Sequence, residues 1–154
     1  MIVIAVGHRM PAWVQSGVGE YVRRLPRESR LDSIEVRPVR RSSSVSVERA
    51  MALEESRIEA ITPAGCHRVV LDERGVEVTS AGLARRLEGW LGAGQDIAFV
   101  IGGADGFTER FRRSADLLLA LSRMTLPHGL ARLLLAEQLY RAISILHNHP
   151  YHRE

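Results

Sequence analysis

Residues 117–154, LLLALSRMTLPHGLARLLLAEQLYRAISILHNHPYHRE, restrict the possible folds more than any other stretch. Leu117–Leu121 is an apolar run too short for a helix of its own and reads as a buried strand. The loop Ser122–Gly129 follows, with Thr125, Pro127 and His128, and a helix then runs from Leu130 to about Leu146. That helix is apolar nearly all round, through Leu130, Leu133, Leu134, Leu135, Leu139, Ile143, Ile145 and Leu146. Such a helix belongs in a core or a subunit interface. Its few polar residues are ordered: Glu137, Arg141 and Ser144 recur at i, i+4 and i+7 on one face. A Glu–Arg pair in such surroundings needs hydrogen-bonded partners. It reads first as a structural ion pair, and alternatively as a polar stripe at the edge of a site.

The preceding segments alternate between strand and helix patterns. Ile2–Val6 is a short apolar run ending at Gly7, and Pro11 opens a helix carrying Trp13, Val14, Val18, Tyr21, Val22 and Leu25. Pro26 stops it. Ser33–Val39 alternates apolar and charged residues and predicts a second strand with one wet face. The basic, serine-rich RPVRRSSSVS around Arg40 and Arg41 reads as a surface loop, with an RNA-gripping loop as the alternative. Val47–Ile61 is a helix capped by Ser46. Arg68–Asp72 is a third strand with the turn ERG after it, Ser80–Leu91 a helix, and Ile97–Ile101 a fourth strand. Thr108–Asp116 is a short helical or irregular link. Strands alternating with helices imply an α/β fold, a mostly parallel sheet with helices on both faces, and residues 1–154 form a single domain.

With 45% hydrophobic and 25% charged residues the composition is that of a soluble globular protein. No apolar run is long enough for a transmembrane helix, and Met1 leads straight into IVIAV with no signal-peptide pattern, so no membrane is expected. The lone Cys66 excludes an internal disulfide and suits a reducing, cytoplasmic setting. All 21 basic residues are arginine and the net charge is +3. This suits an RNA partner without requiring one, since genomic base composition also favours arginine codons.

Ligands of open α/β sheets bind beyond the carboxyl ends of the strands. Three such segments stand out: Leu71-Asp72-Glu73, Gly102-Gly103-Ala104-Asp105-Gly106 and Leu121–His128. Gly102, Gly103 and Gly106 permit tight turning and close backbone approach. GGxxG after a fourth strand is nevertheless a poor dinucleotide fingerprint. His147, His149 and His152 lack the partners of a structural zinc site and are interrupted by Pro150, so no metal is expected. From the residues alone the reading stops at a nucleotide-type ligand in the second half of the sheet.

The IGGADGF segment (101–107), the T-L-P-H loop (Thr125–His128), the A-E-x-L-Y-R-A helix (Ala136–Ala142) and the N-H-P-Y-H-R-E terminus (Asn148–Glu154) together resemble the RlmH family. These are ribosomal large subunit methyltransferase H proteins of the SPOUT class. The resemblance extends to the opening VGHRMPAWVQSGVGEYVRR. It implies a SPOUT fold with a C-terminal trefoil knot, an arrangement that periodicity cannot reveal. Residues 71–148 would be the knotted cofactor-binding region and 149–154 an RNA-facing tail. The implied activity is methylation of N3 of a pseudouridine in 23S rRNA, by a homodimer acting on the assembled 70S ribosome. The implied cofactor, S-adenosyl-L-methionine, would be bound at Leu71, Gly102, Gly103, Ser122, Arg123, Met124, Thr125, Leu126 and Pro127. Another RNA target, or a cofactor-holding ribosome-binding protein without catalysis, are the alternatives. One departure is clear: the family often has G-G-P-E-G where this chain has Ala104 and Asp105 between its glycines.

A uracil-like N3–H is a weak acid, so a proton acceptor or a cation near the developing anion would help the transfer. His128 and His152 are the candidate acceptors, although His128 also reads as a simple cap of the helix start. Arg141 and Arg153 are candidates for the base oxygens or phosphates, and Tyr151 for stacking on the base. Tyr151, His152 and Arg153 are thus the expected RNA contacts.

Overall fold

Five strands form one sheet, and every pairing between neighbours is parallel. The computed structural model describes residues 1–7, 10–42 and 44–153, with His152 and Arg153 described by their backbone alone. His8 and Arg9 of the opening motif, Ser43 of the basic loop and the terminal Glu154 lie outside the described residues. The strands are β1 (Ile2–Val6), β2 (Asp32–Val36), β3 (His67–Glu77), β4 (Ile97–Ile101) and β5 (Leu117–Ala120). The helices are α1 (Ala12–Arg24), α2 (Val47–Ile61), α3 (Ser80–Gly92), α4 (Glu109–Arg113) and α5 (His128–Leu146). The sheet order is β2-β1-β4-β3-β5, so each parallel crossover carries one helix.

Alternation along the strands separates two cores. Val3, Ala5, Val69, Phe99 and Leu119 face Leu83 and Leu87 of α3 and Leu135, Leu139 and Ile143 of α5. Ile4, Val6, Val70, Ala98 and Val100 face the other way, toward Ile58 of α2 and Phe111 of α4. All of β4 is buried, as a central strand covered on both faces must be. The fold is therefore α/β with helices on both faces. Three helix starts are closed by side chains: Ser46, Thr79 and Thr108 accept from the backbone N–H groups of Arg49, Gly82 and Phe111. Among the described residues no helix is long and apolar enough to cross a membrane.

Three strand or helix boundaries differ from the expected ones by more than one residue. β2 stops at Val36, short of Val39, because Pro38 has no N–H to offer and the Val39 N–H is taken by Glu54 Oε1 at 2.8 Å. The ERG segment is strand and not turn: β3 continues to Glu77, with a jump in its register against β5 between Leu71 and Val76. Gly75 makes that possible, since a Cβ there would lie 2.6 Å from the Leu119 carbonyl carbon. Finally, α5 starts at His128 and absorbs Gly129, because Pro127 is already set for the residue before a helix. A Cβ on Gly129 would meet Val14 at 3.0 Å, so the glycine lets α5 settle on α1.

The obstacle at Gly75 is backbone, which cannot step aside as a side-chain tip can. Gly75→Ala should lower unfolding stability by about 1–3 kcal/mol, the range typical of overpacked positions. A denaturant midpoint equal to that of the unaltered chain would contradict the β3–β5 packing described.

Candidate active site

The carboxyl ends of β3, β4 and β5 border a cavity of about 710 Å³. That is within the range of about 300–1,000 Å³ found for small-molecule sites. Three segments form most of its wall: residues 71–74 of β3, 101–107 after β4, and 121–128 after β5, except for Arg123. Arg112, Leu119 and Ala131 complete it.

Each wall has a local cause. After β4 the chain turns back through a hydrogen bond from Gly106 N–H to Gly103 O at 3.1 Å, with Gly106 at a φ of +71°. A Cβ on Gly102 would sit 2.9 Å from the Phe107 ring, and one on Gly103 would sit 2.5 Å from Glu54 Oε2. Both positions therefore require glycine for space. Ser122 Oγ accepts the Met124 N–H at 2.9 Å, and Thr125 Oγ1 donates to Glu73 Oε2 at 3.0 Å. The latter contact ties the loop after β5 to the irregular part of β3. Asp72 would place a charge in the cavity, but Arg112 Nε donates to it at 2.6 Å and both side chains are largely buried.

Behind the glycine turn lies a carboxylate that the sequence reading did not single out. Glu54, in the middle of α2, is buried. Its Oε1 accepts from Val39 N–H at 2.8 Å and from Arg41 Nη1 at 2.9 Å. Arg41 Nε also donates to Asp105 at 2.8 Å. The basic loop is thus pinned to the turn at Arg41, and Asp105 makes an ion pair within the chain. A signal for Glu54 existed: it shares the buried α2 face with Ala50 and Ile58, four residues to either side.

A family profile described as "Predicted SPOUT methyltransferase" matches residues 1–152. A ribosomal RNA large subunit methyltransferase H from Janthinobacterium sp. (strain Marseille) is 54% identical over 153 residues, covering 99% of this chain and 98% of the relative. A protein of the same name from Nitrosospira multiformis is 53% identical over 152 residues, 99% and 97% of the two chains. The chain belongs to the RlmH family of SPOUT methyltransferases. The structure of a probable methylase family protein from Haemophilus influenzae aligns with a TM-score of 0.55 at 15% identity. It covers 96% of this chain and 66% of that one, and at such identity the likeness concerns the fold alone.

The RlmH resemblance nominated residues that the fold partly gathers. Leu71, Gly102, Gly103, Ser122, Met124, Thr125, Leu126, Pro127 and His128 all line the one cavity. Arg123 does not: its side chain is 87% exposed and pairs with Glu77 at 2.8 Å. Arg141 lies further along α5, where its Nε donates to Glu137 Oε1 at 2.8 Å. Tyr151 is beside it in a short 3₁₀ turn over Pro150–Arg153. Its hydroxyl donates to the same Glu137 oxygen at 3.2 Å, its ring lies 4.7 Å from that of Tyr140, and the Arg141 guanidinium sits 4.8 Å from its centroid. Glu137 and Arg141 thus form an ion pair with hydrogen-bonded partners, and burial pushes the Tyr151 phenol up. The side chains of His152 and Arg153 lie outside those described.

His128 is the first residue of α5, and no side-chain hydrogen bond closes that helix start. Its Nε2 is buried without a partner. Burial holds the imidazole below its ordinary value, the charge of Arg132 acts in the same direction, and a hydrogen bond to the Val6 backbone partly opposes both. The folded state therefore binds a proton at His128 less readily than the unfolded chain, whose value is close to 6.5. It follows that this residue's contribution to stability is complete above that value and is lost as pH falls from it toward the folded value. Melting temperatures between pH 7.5 and pH 5 should fall more steeply for the unaltered chain than for His128→Gln; parallel slopes would contradict a buried neutral imidazole.

Proposed function

We propose that this chain transfers a methyl group from S-adenosyl-L-methionine to N3 of a pseudouridine in 23S rRNA, acting in the cytoplasm as a homodimer on the assembled 70S ribosome. The observation that carries this reading is the convergence of three strand-end segments on one cavity, in a chain more than half identical over nearly its full length to a ribosomal RNA large subunit methyltransferase H. On the same reading, residues 71–148 are a knotted cofactor-binding region and 149–154 an RNA-facing tail.

The cavity suits a cofactor of this kind. Its volume accommodates a nucleoside joined to an amino acid, and Gly102 and Gly103 lie in its wall. Leu71, Leu121 and Leu126 supply apolar walls. The backbone of residues 122–127, together with Gly102 and Gly103, would hold the group; once bound, it supplies a sulfonium-activated methyl.

The chain's own task is to orient the base and take its proton. His128, at the cavity wall, is the proposed acceptor of the N3 proton. An imidazole that stays neutral at working pH is ready for that role. Arg141, Tyr151, His152 and Arg153 are proposed for the RNA side, where a cation and an aromatic surface suit bases and phosphates. Trp13 of α1 and Leu130 and Leu134 of α5 are exposed apolar residues on packed neighbouring helices, a face that a second copy would cover.

The test is methyl transfer from labelled S-adenosylmethionine to ribosomes lacking the modification. Intact 70S particles, 50S subunits and naked 23S rRNA are compared, with nucleoside mass spectrometry of the product. N3-methylpseudouridine, formed best on 70S particles, is expected. A product at another nucleotide indicates a different RNA target, and no product despite cofactor binding indicates a non-catalytic ribosome-binding protein. His128→Gln should reduce kcat by about 10²- to 10⁴-fold, the span of general base catalysis. A rate equal to that of the unaltered enzyme would remove His128 from the reaction.

A further inference from the structure

The turn after β4 has few means of holding its own shape. Residues 102–106 read Gly-Gly-Ala-Asp-Gly, so three of the five positions carry no side chain and Ala104 carries only a methyl. Glycine leaves the backbone its widest freedom, and the hydrogen bond from Gly106 N–H to Gly103 O at 3.1 Å closes the turn from within. Asp105 is its single polar side chain, the one handle by which the turn can be gripped from outside. Arg41 grips it: Nε donates to Asp105 Oδ2 at 2.8 Å, and Nη2 donates to the same oxygen.

Arg41 itself is not part of the cavity wall. Its remaining nitrogen, Nη1, donates to Val39 O at 2.8 Å and to Glu54 Oε1 at 2.9 Å, so every nitrogen of the guanidinium is engaged within the chain. The Glu54 side chain is 3% exposed, against 36% for Arg41 and 31% for Asp105, so the contacts run outward from the interior to the turn. The next residue of α2 holds the other end: Glu55 Oε2 accepts from Thr108 Oγ1 at 2.9 Å, just past the turn. Two consecutive buried carboxylates thus bracket the glycine-rich segment, one directly and one through Arg41.

We propose that Arg41 is a positioning residue of the cofactor site, holding the 102–106 turn in its binding shape from outside the cavity through Asp105. This inference rests on the reading of the cavity as the S-adenosyl-L-methionine site. A segment already fixed in its bound shape loses less freedom when the ligand arrives, so the tie raises affinity without a contact to the ligand. Of the two adjacent arginines in the basic loop, Arg41 therefore serves the cofactor side and not an RNA phosphate.

Isothermal titration of the full chain with S-adenosylhomocysteine reads affinity and stoichiometry separately. Arg41→Gln should weaken binding by about tenfold, within the span by which a remote group couples to a site, with the stoichiometry unchanged. In turnover assays the KM for S-adenosylmethionine should rise while kcat is kept, the pattern of lost uniform binding. Asp105→Asn should weaken binding comparably, and Arg41→Gln/Asp105→Asn about as much as either alone, since each breaks the same link. An unchanged affinity in Arg41→Gln, or losses that add in the double variant, overturns the proposal. So does a lower melting temperature with fewer binding sites at unchanged affinity, which is what a merely structural role gives. Arg41→Gln leaves Glu54 charged and buried. If it does not fold, Arg41→Gln/Glu54→Gln, which carries neither charge, decides by the same readings. Absence of binding by the unaltered chain would instead overturn the cofactor reading itself.

Discussion

The cavity depends on a carboxylate that does not line it. Glu54 projects from the middle of α2 to the back of the Gly102–Gly103 turn, so close that a side chain on Gly103 would displace it. With one oxygen it collects the Val39 N–H and the Arg41 guanidinium, and Arg41 carries the connection to Asp105 on the far side of the same turn. One buried side chain thus joins the end of β2, the basic loop and the turn after β4. The close approach and the charge need each other. Gly103 makes room for Glu54, and Arg41 offsets a carboxylate that would otherwise be costly to bury.

The other side of the cavity rests on backbone proximity. β3 passes against β5 at Gly75, where no Cβ would fit, and this brings Glu73 within reach of Thr125. The loop after β5 is therefore tied to the strand beside it. Pro127 then ends the loop and lets α5 begin at His128, which places the imidazole at the cavity wall and Arg132 one turn deeper. Sheet, turn and helix start form one construction, with its polar parts at the carboxyl ends of the strands, as parallel sheets favour.

Much of this was legible in the sequence. Short apolar runs alternating with helical periods gave the α/β class, and Ser46 marked the start of α2 to the residue. The segments after the third, fourth and fifth strands were singled out by position and by their glycines, and they do converge. What escaped notice had physical reasons. Gly75 reads as a turn residue because glycine usually is one; its use for close passage of two strands depends on a neighbour more than 40 positions away in sequence. Arg123 belongs to the loop after β5 but points outward, which loop position alone cannot tell. Glu54 and Arg132 sit within helices where charged residues are normally solvated, and only their spacing from buried neighbours hinted otherwise.

The central claim is that the three strand-end segments form a single cofactor site. Titrating the ¹⁵N-labelled chain with S-adenosylhomocysteine, and mapping the amide shifts, tests it most directly. The account predicts shifts concentrated at residues 71–73, 102–106 and 122–128, with the sheet's opposite end unchanged. Shifts centred elsewhere, or confined to one of the three segments, would contradict it.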